Sequence, residues 1–395
     1  MKKFVFAFAF LIPLIVHAQT IKTDVLVLGS TNAAFAAGIQ ATESGVKAVI
    51  LTQGDGFRLS EFKSLPQSSI IKALEKQAKK SLKLADSVDL PEMTNQMINA
   101  VIKNWADSSK LLDVINNTPF YEIKRSGSGW EAKLTKEKSI KAKVLIVTGS
   151  IEKVLPALQI GSLMPAQTNP INYSENLYRT TIGGITGTSN YLSLYNLLIP
   201  NQENILFINA DNLEIGQAAG ATAKDAVLFK TKISLSSLKR IQGELLACKL
   251  PLMPFDDVKI VDSNWLAIQK VGITGILKAD IKNGKVYFNP EKEVTYDEVK
   301  QPLKDYYYKA QIWFDDHQNV PINLDNTISM VCYVGNKAVD ATKTEIEKKW
   351  KKSYKFSSNY NLKKVLTRRE FSVIINEFLK PFDLINVDRT GRVIR

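Results

Sequence analysis

Apolar residues fall along this chain in two textures. In the first 235 residues they come as short runs within 24–28, 46–52, 144–147 and 204–208, bounded by glycine or polar residues. Runs of that length, apolar on both faces, predict strands of a buried parallel sheet. Between the first two, residues 32–44 carry helical spacing, with Asn32 as cap and Gly45 as stop, which makes a βαβ unit. Residues 60–117 are charged and read as mostly helical. Strands are expected at 120–124, 130–134 and 139–147, the first two joined by the flexible Ser126-Gly-Ser-Gly129. A weakly patterned stretch holds Gly183-Gly-Ile-Thr-Gly187, and an alanine-rich helix is expected at 216–229.

Beyond Pro251 helices alternate with turns. Val294-Thr-Tyr-Asp-Glu298 and Leu366-Thr-Arg-Arg-Glu370 each place a threonine three residues before a glutamate at a helix start. That is a capping box, in which the hydroxyl accepts from the third backbone N–H and the glutamate reaches back. Its recurrence predicts two related helical units that fold as an independent module. The pattern therefore predicts an α/β chain: a parallel sheet with a small β-meander over 19–240, shortened at 150–204, and a mostly helical domain over 251–385.

Composition changes this picture little, but the first residues matter. Lys2 and Lys3, an apolar run over 4–15 and Val16-His17-Ala18 form an export signal over 1–18, too short for a permanent membrane span. The chain is expected to be periplasmic, secreted or at the cell surface, with no transmembrane segment. The length of 395 residues suits two domains. The net charge of +13 comes from scattered lysines without interleaved aromatics, which describes a solvated basic surface and no nucleic-acid partner. His317 lies beside Asp315 and Asp316 without metal-ligand spacing. Cys248 and Cys332 belong to no Cys-x-x-Cys pair, and whether they bond is open.

Candidate chemistry begins at Gly29-Ser30-Thr31-Asn32. A strand running into a glycine turn and a helix is the opening of a dinucleotide site, where glycines allow a tight bend and close approach to pyrophosphate. The three fingerprint positions hold Gly29, Thr31 and Ala34, and Thr31 would place a β-branched side chain toward the phosphates. Gln53, after Thr52, stands where an acidic residue normally holds the ribose. A second strand ends in Thr148-Gly149, and a third leads through Asp211 into Gly216-Gln217-Ala218. Small residues there suit either approach of a ligand or close packing. No His, Cys or paired carboxylate is placed as acid, base or nucleophile.

Over residues 22–235 this order resembles the FAD-dependent oxidoreductases of the glutathione-reductase-like superfamily, nearest the exported bacterial flavoproteins with Gly-Gln-Ala-Ala-Gly. The resemblance implies a Rossmann-like FAD/NAD(P)-binding sheet. It puts Gly29, Ser30 and Asn32 at the pyrophosphate and Thr148 and Gly149 on the adenosine side. It places Asp211 near the ribityl chain or phosphate, and Gly216, Gln217 and Ala218 near the flavin. The fingerprint is degenerate, and about fifty residues separate Gly149 from Asn204, too few for a usual substrate domain. Further on come Phe255-Asp-Asp-Val258, Trp265-Leu-Ala-Ile-Gln269, Gly272-Ile-Thr-Gly-Ile276, Asn283-Gly-Lys-Val-Tyr-Phe-Asn-Pro290 and Thr295-Tyr-Asp-Glu298. In that order they resemble an S-layer-homology repeat, with a divergent copy at 339–383. Such repeats bind wall glycans partly through an arginine; here Tyr296 replaces it in the first copy and Arg368 keeps it in the second. The implied protein is an exported FAD-dependent oxidoreductase moving hydride to or from a small, unknown substrate. The alternative is a non-catalytic scaffold that binds a partner or envelope glycan, or whose tail simply packs against the sheet.

Overall fold

The computed structural model describes residues 19–43, 45–59, 68–134 and 138–395; the expected signal at 1–18 lies outside them. Strand β1 (Gln19–Leu28) runs parallel to β2 (Ala48–Leu51) on one side and to β6 (Lys138–Val147) on the other. Beyond β2 lies β3 (Leu112–Ile115), and beyond the second half of β6 lies β10 (Ile205–Phe207), both parallel. The four expected strands are thus neighbours in one parallel sheet. β3 was not expected, since 60–117 reads as helical. It is a short edge strand, Leu-Asp-Val-Ile, with only Leu112 fully buried, so it lacks the continuous apolar run of an interior strand.

The meander is present as β4 (Glu122–Ser126) and β5 (Gly129–Lys133). β5 pairs antiparallel with Ser139–Ala142 of β6, while β10 takes Leu145–Val147 along the same edge. Asn204, at φ +58°, sits where the two partners abut. Its carbonyl accepts from Leu145 N and from the Trp130 indole, and its side-chain amide donates to Ser128 O. The result is a Rossmann-like α/β layer with a meander, as the resemblance implies.

Helix α1 (Asn32–Thr42) follows β1, and α2 (Ser69–Ser81) and α3 (Asn95–Ser108) precede β3. Between β6 and β10 the chain makes a one-turn α4 (Leu155–Leu158), three short strands and a one-turn α5 (Leu194–Leu197). Those strands, β7 (Asn169–Pro170), β8 (Thr181–Gly184) and β9 (Asn190–Ser193), form a small antiparallel sheet. Helix α6 (Leu213–Leu228) then lies against α1, and α7 (Leu238–Ala247) leads out of this half.

The rest is α8 (Trp265–Thr274), a hairpin of β11 (Asp280–Lys282) and β12 (Lys285–Tyr287), and five longer helices. These are α9 (Tyr296–Tyr306), α10 (Tyr308–Asp316), α11 (Leu324–Gly335), α12 (Val339–Trp350) and α13 (Arg368–Phe378). One-turn α14 (Pro381–Leu384) and a hairpin of β13 (Asn386–Val387) and β14 (Val393–Ile394) close the chain. The structure adds a third helix pair, α10–α11, to the two expected. Three extended segments interlock through Val294 N to Leu366 O, Leu366 N to Ile322 O, and Leu324 N to Lys364 O. Each runs into a helix capped by its own side chain: Thr295, Asn323 and Thr367. The capping box is complete at Thr367; at Thr295 the hydroxyl caps but Glu298 turns to Arg368.

The main core does not part near residue 251. It runs from Val25 and Ala33 through Ile182, Leu252 and Met253 to Trp265, Ile328 and Phe371. Polar ties cross the same line: Gln269 accepts from Leu252 N and Met253 N, and Arg179 donates to Thr274 O and Gly391 O. Cys248 and Cys332 are both free thiols.

Candidate functional site at the head of helix α1

Gly29 has φ +143°, and a Cβ there would lie 1.9 Å from Thr148 Oγ1. Thr148 is buried and donates to Leu28 O, so it supports the turn from behind. The helix cap is Thr31, not Asn32 as the sequence suggests: its hydroxyl accepts from Ala34 N at 3.3 Å. A threonine in this extended conformation lowers the cost of the helix start by satisfying one orphan N–H. Its side chain therefore turns back onto the helix, which removes the reason for expecting it to block a phosphate.

Asn32 is the first helical residue, and its N–H donates to Asp211 Oδ1 at 2.7 Å. Asp211 is exposed and comes from the loop after β10, 179 residues away. A carboxylate at a helix N-terminus meets both a free donor and the positive end of the helix dipole. The position expected to receive pyrophosphate thus already holds an anion of the chain's own. Ser30 O accepts from Arg58 N, which lays the loop after β2 over the turn. Gln53 is exposed, while Thr52 is buried with its hydroxyl 2.9 Å from both Gly54 O and Asn116 Oδ1. Beside Gly149, a Cβ would meet nothing within 4 Å.

Gly216, Gln217 and Ala218 do not face an open site. A Cβ on Gly216 would come 2.4 Å from Ala33 O, and one on Gly220 the same distance from Ala37 O. Gln217 is buried and donates to Gln40 Oε1 of α1, and Ala218 is fully buried beside Gly183. These small residues let two helices touch through their backbones. So the structure gathers Gly29, Ser30, Thr31, Asn32, Thr148 and Asp211 at one turn, leaves Gln53 and Gly149 at strand ends, and places the α6 residues in a helix interface.

A cleft of about 680 Å³ opens beside that turn. It runs from Asn32 and Asp211 past Glu214, in the first turn of α6, to Thr186 and Gly187 and to the 254–261 stretch and Trp265 of the C-terminal half. Ser68 lines it too, and its buried hydroxyl has no hydrogen-bond partner. Sequence reasoning missed Glu214, Ser68 and this wall, because only tertiary contacts bring them together. The arginine assigned to glycans by resemblance lies inside. Arg368 is 2 % exposed, pairs with Glu298, donates to Lys278 O at 2.6 Å and covers the Phe288 ring. Burial lowers its pKa. Tyr296 is also buried, donating to Phe314 O.

No family model matches this chain, and neither does any curated protein. Among solved structures it is similar to the thioredoxin reductase of T. acidophilum, with 16% identity over 32% of this chain and 34% of that one and a TM-score of 0.20. A flavin-dependent monooxygenase solved in complex with FAD and substrate is 12% identical, over 38% and 33%, with a TM-score of 0.25. A flavoprotein/dehydrogenase from Cytophaga hutchinsonii is 16% identical, over 37% and 44%, with a TM-score of 0.27. The matches span less than half the length of each of these proteins.

Proposed function

We propose that this chain is an FAD-dependent oxidoreductase in which FAD is an exchangeable ligand, competing with Asp211 for the head of α1. One observation carries the reading: the 2.7 Å bond from Asn32 N to Asp211 Oδ1. The chain has set a carboxylate where a dinucleotide's diphosphate would bind, so the donor set there fits an anion. The Asn32 N–H and the Gly29–Ser30 turn would hold the diphosphate. The open space beside Gly149 would admit the adenosine side, and Gln53 would offer the ribose an amide in place of a carboxylate. The flavin, when bound, would supply the hydride chemistry. The protein's part is to release Asp211, pass the Asn32 N–H to the ligand and shield the cleft with its C-terminal wall. The signal pattern at 1–18 supports an exported site of action.

Displacing a charge-assisted hydrogen bond costs about 1.5–3 kcal/mol, so Asp211 weakens FAD binding by roughly ten- to hundredfold. Titration of FAD against the full chain and the Asp211→Ala variant, followed by flavin fluorescence quenching, tests this. The variant, altered at an exposed residue, should bind at least about tenfold more tightly. If neither protein binds FAD, the flavin reading fails and the scaffold alternative takes its place. Equal affinities would remove the competition.

A further inference from the structure

We infer that the inner end of the cleft binds a small molecule with an apolar body and a protonated amine, the amine seated on Glu214. This deepens the reading above by naming the substrate class of the same site, and rests on it to that extent. Glu214 is 3 % exposed, yet its one hydrogen-bond partner among the described residues is the Thr186 N–H, 3.2 Å from Oε1. It appears in no ion pair there, and the residue lines the cleft. A buried carboxylate is costly unless it is paired, and its place in the first turn of α6 offsets only part of that cost.

Ser68 gives a second, independent sign. Its hydroxyl is buried, lines the same cleft and has no partner. A few polar groups from separate elements, lining one cavity, are how a pocket orients a ligand's polar end. Phe255, Val258 and Trp265 of the C-terminal half supply the apolar wall. An anionic head would meet Glu214 and Asp211 as like charges, and a neutral one would leave the charge of Glu214 uncompensated. An ammonium group supplies a positive charge and three donors, which match the carboxylate in both charge and hydrogen bonding.

The test is calorimetric titration of the full chain, without flavin, by tryptamine and by indole-3-propionate as its anionic counterpart. Tryptamine should bind at least about tenfold more tightly than the acid. Glu214→Gln keeps an acceptor for Thr186 and should weaken tryptamine by about ten- to hundredfold. Lys259→Glu, at an exposed residue lining the cleft, should tighten it. Equal binding of the two probes, or an unchanged Kd in Glu214→Gln, overturns the inference. Should Glu214→Gln fail to fold, Lys259→Glu decides alone, and no tightening overturns it. A parallel FAD titration separates the two claims. Tryptamine binding without FAD binding leaves this inference standing while the flavin reading falls; FAD binding without tryptamine binding does the reverse.

Discussion

At the scale of single residues, local rules are satisfied by partners that the sequence does not announce. Thr31 has the residue type of a cap, yet a fingerprint reading assigns it to a phosphate. Only the geometry shows its hydroxyl on Ala34 N. Asp211 and Asn32 are legible as candidates, but not as each other's partner, because 179 residues separate them in the chain and β6 lies between β1 and β10 in the sheet. Lys239 is invisible to pattern reading altogether. Burial lowers its pKa to about 8, against the opposing pull of Asp383, while its ammonium donates to Phe382 O. The folded protein therefore gives up this proton more readily than the unfolded chain, whose lysines titrate near 10.5. Below about pH 8 both states are protonated and the burial cost is fully felt. Between about pH 8 and 10.5 the unfolded chain binds more protons, so stability rises with pH, by on the order of 2–3 kcal/mol. Lys239→Met should flatten that rise. Urea midpoints for both proteins at pH 7.5 and pH 10 measure it, and parallel changes would show that Lys239 does not titrate there.

At the scale of elements, the buried strands were legible from their short apolar runs, and the edge strand β3 was not. The segments 24–28, 46–52, 144–147 and 204–208 stand in the sheet as neighbours, whereas β3 stayed hidden behind Asp113 and its polar flanks. The third helix pair was missed because Asn323 caps α11 without the threonine and glutamate that mark the other two starts. The Gly-Gln-Ala-Ala-Gly segment shows the limit of reading motifs: small residues permit close approach, but sequence does not say by what. Here the visitor is α1. Gly220→Ala should push a methyl group toward Ala37 O, at 2.4 Å before relaxation, and destabilise by about 1–3 kcal/mol despite its better helix propensity. Gly243→Ala is the matched comparison, since its Cβ would meet nothing within 4 Å at an exposed position of α7. It should stabilise by up to about 1 kcal/mol. Thermal melts of the two variants should move in opposite directions; a shared sign would refute the helix-contact account.

Across the whole molecule, the change of texture at Pro251 marks a change in secondary structure and not a seam in the core. Composition and periodicity report how each stretch would fold, and are silent on which apolar faces meet. Leu252, Met253 and Phe255 join the sheet's helices to α8, and the cleft has walls from both halves. The full chain should therefore unfold in a single thermal transition, and a fragment ending at residue 250 should fail to give one. Two separate transitions, or a cooperatively melting fragment, would restore the independent module that the repeats suggest.

Arg179 carries a consequence for the order of events during synthesis. The sheet needs nothing beyond β10, so it can assemble while later residues are still being added. Arg179, however, shares its guanidinium among Asn176 Oδ1, Thr274 O and Gly391 O, the last 212 residues downstream. Gly391, at φ +81°, comes so close to Asn176 that a Cβ would lie 1.8 Å from its carbonyl oxygen. At a synthesis rate of about 5–20 residues per second, this latch stays open for roughly 10–40 seconds after Arg179 is made. Until then the early half is a sheet with an unclosed flank, and ribosome-stalled chains halted before residue 391 should remain protease-sensitive around residue 176.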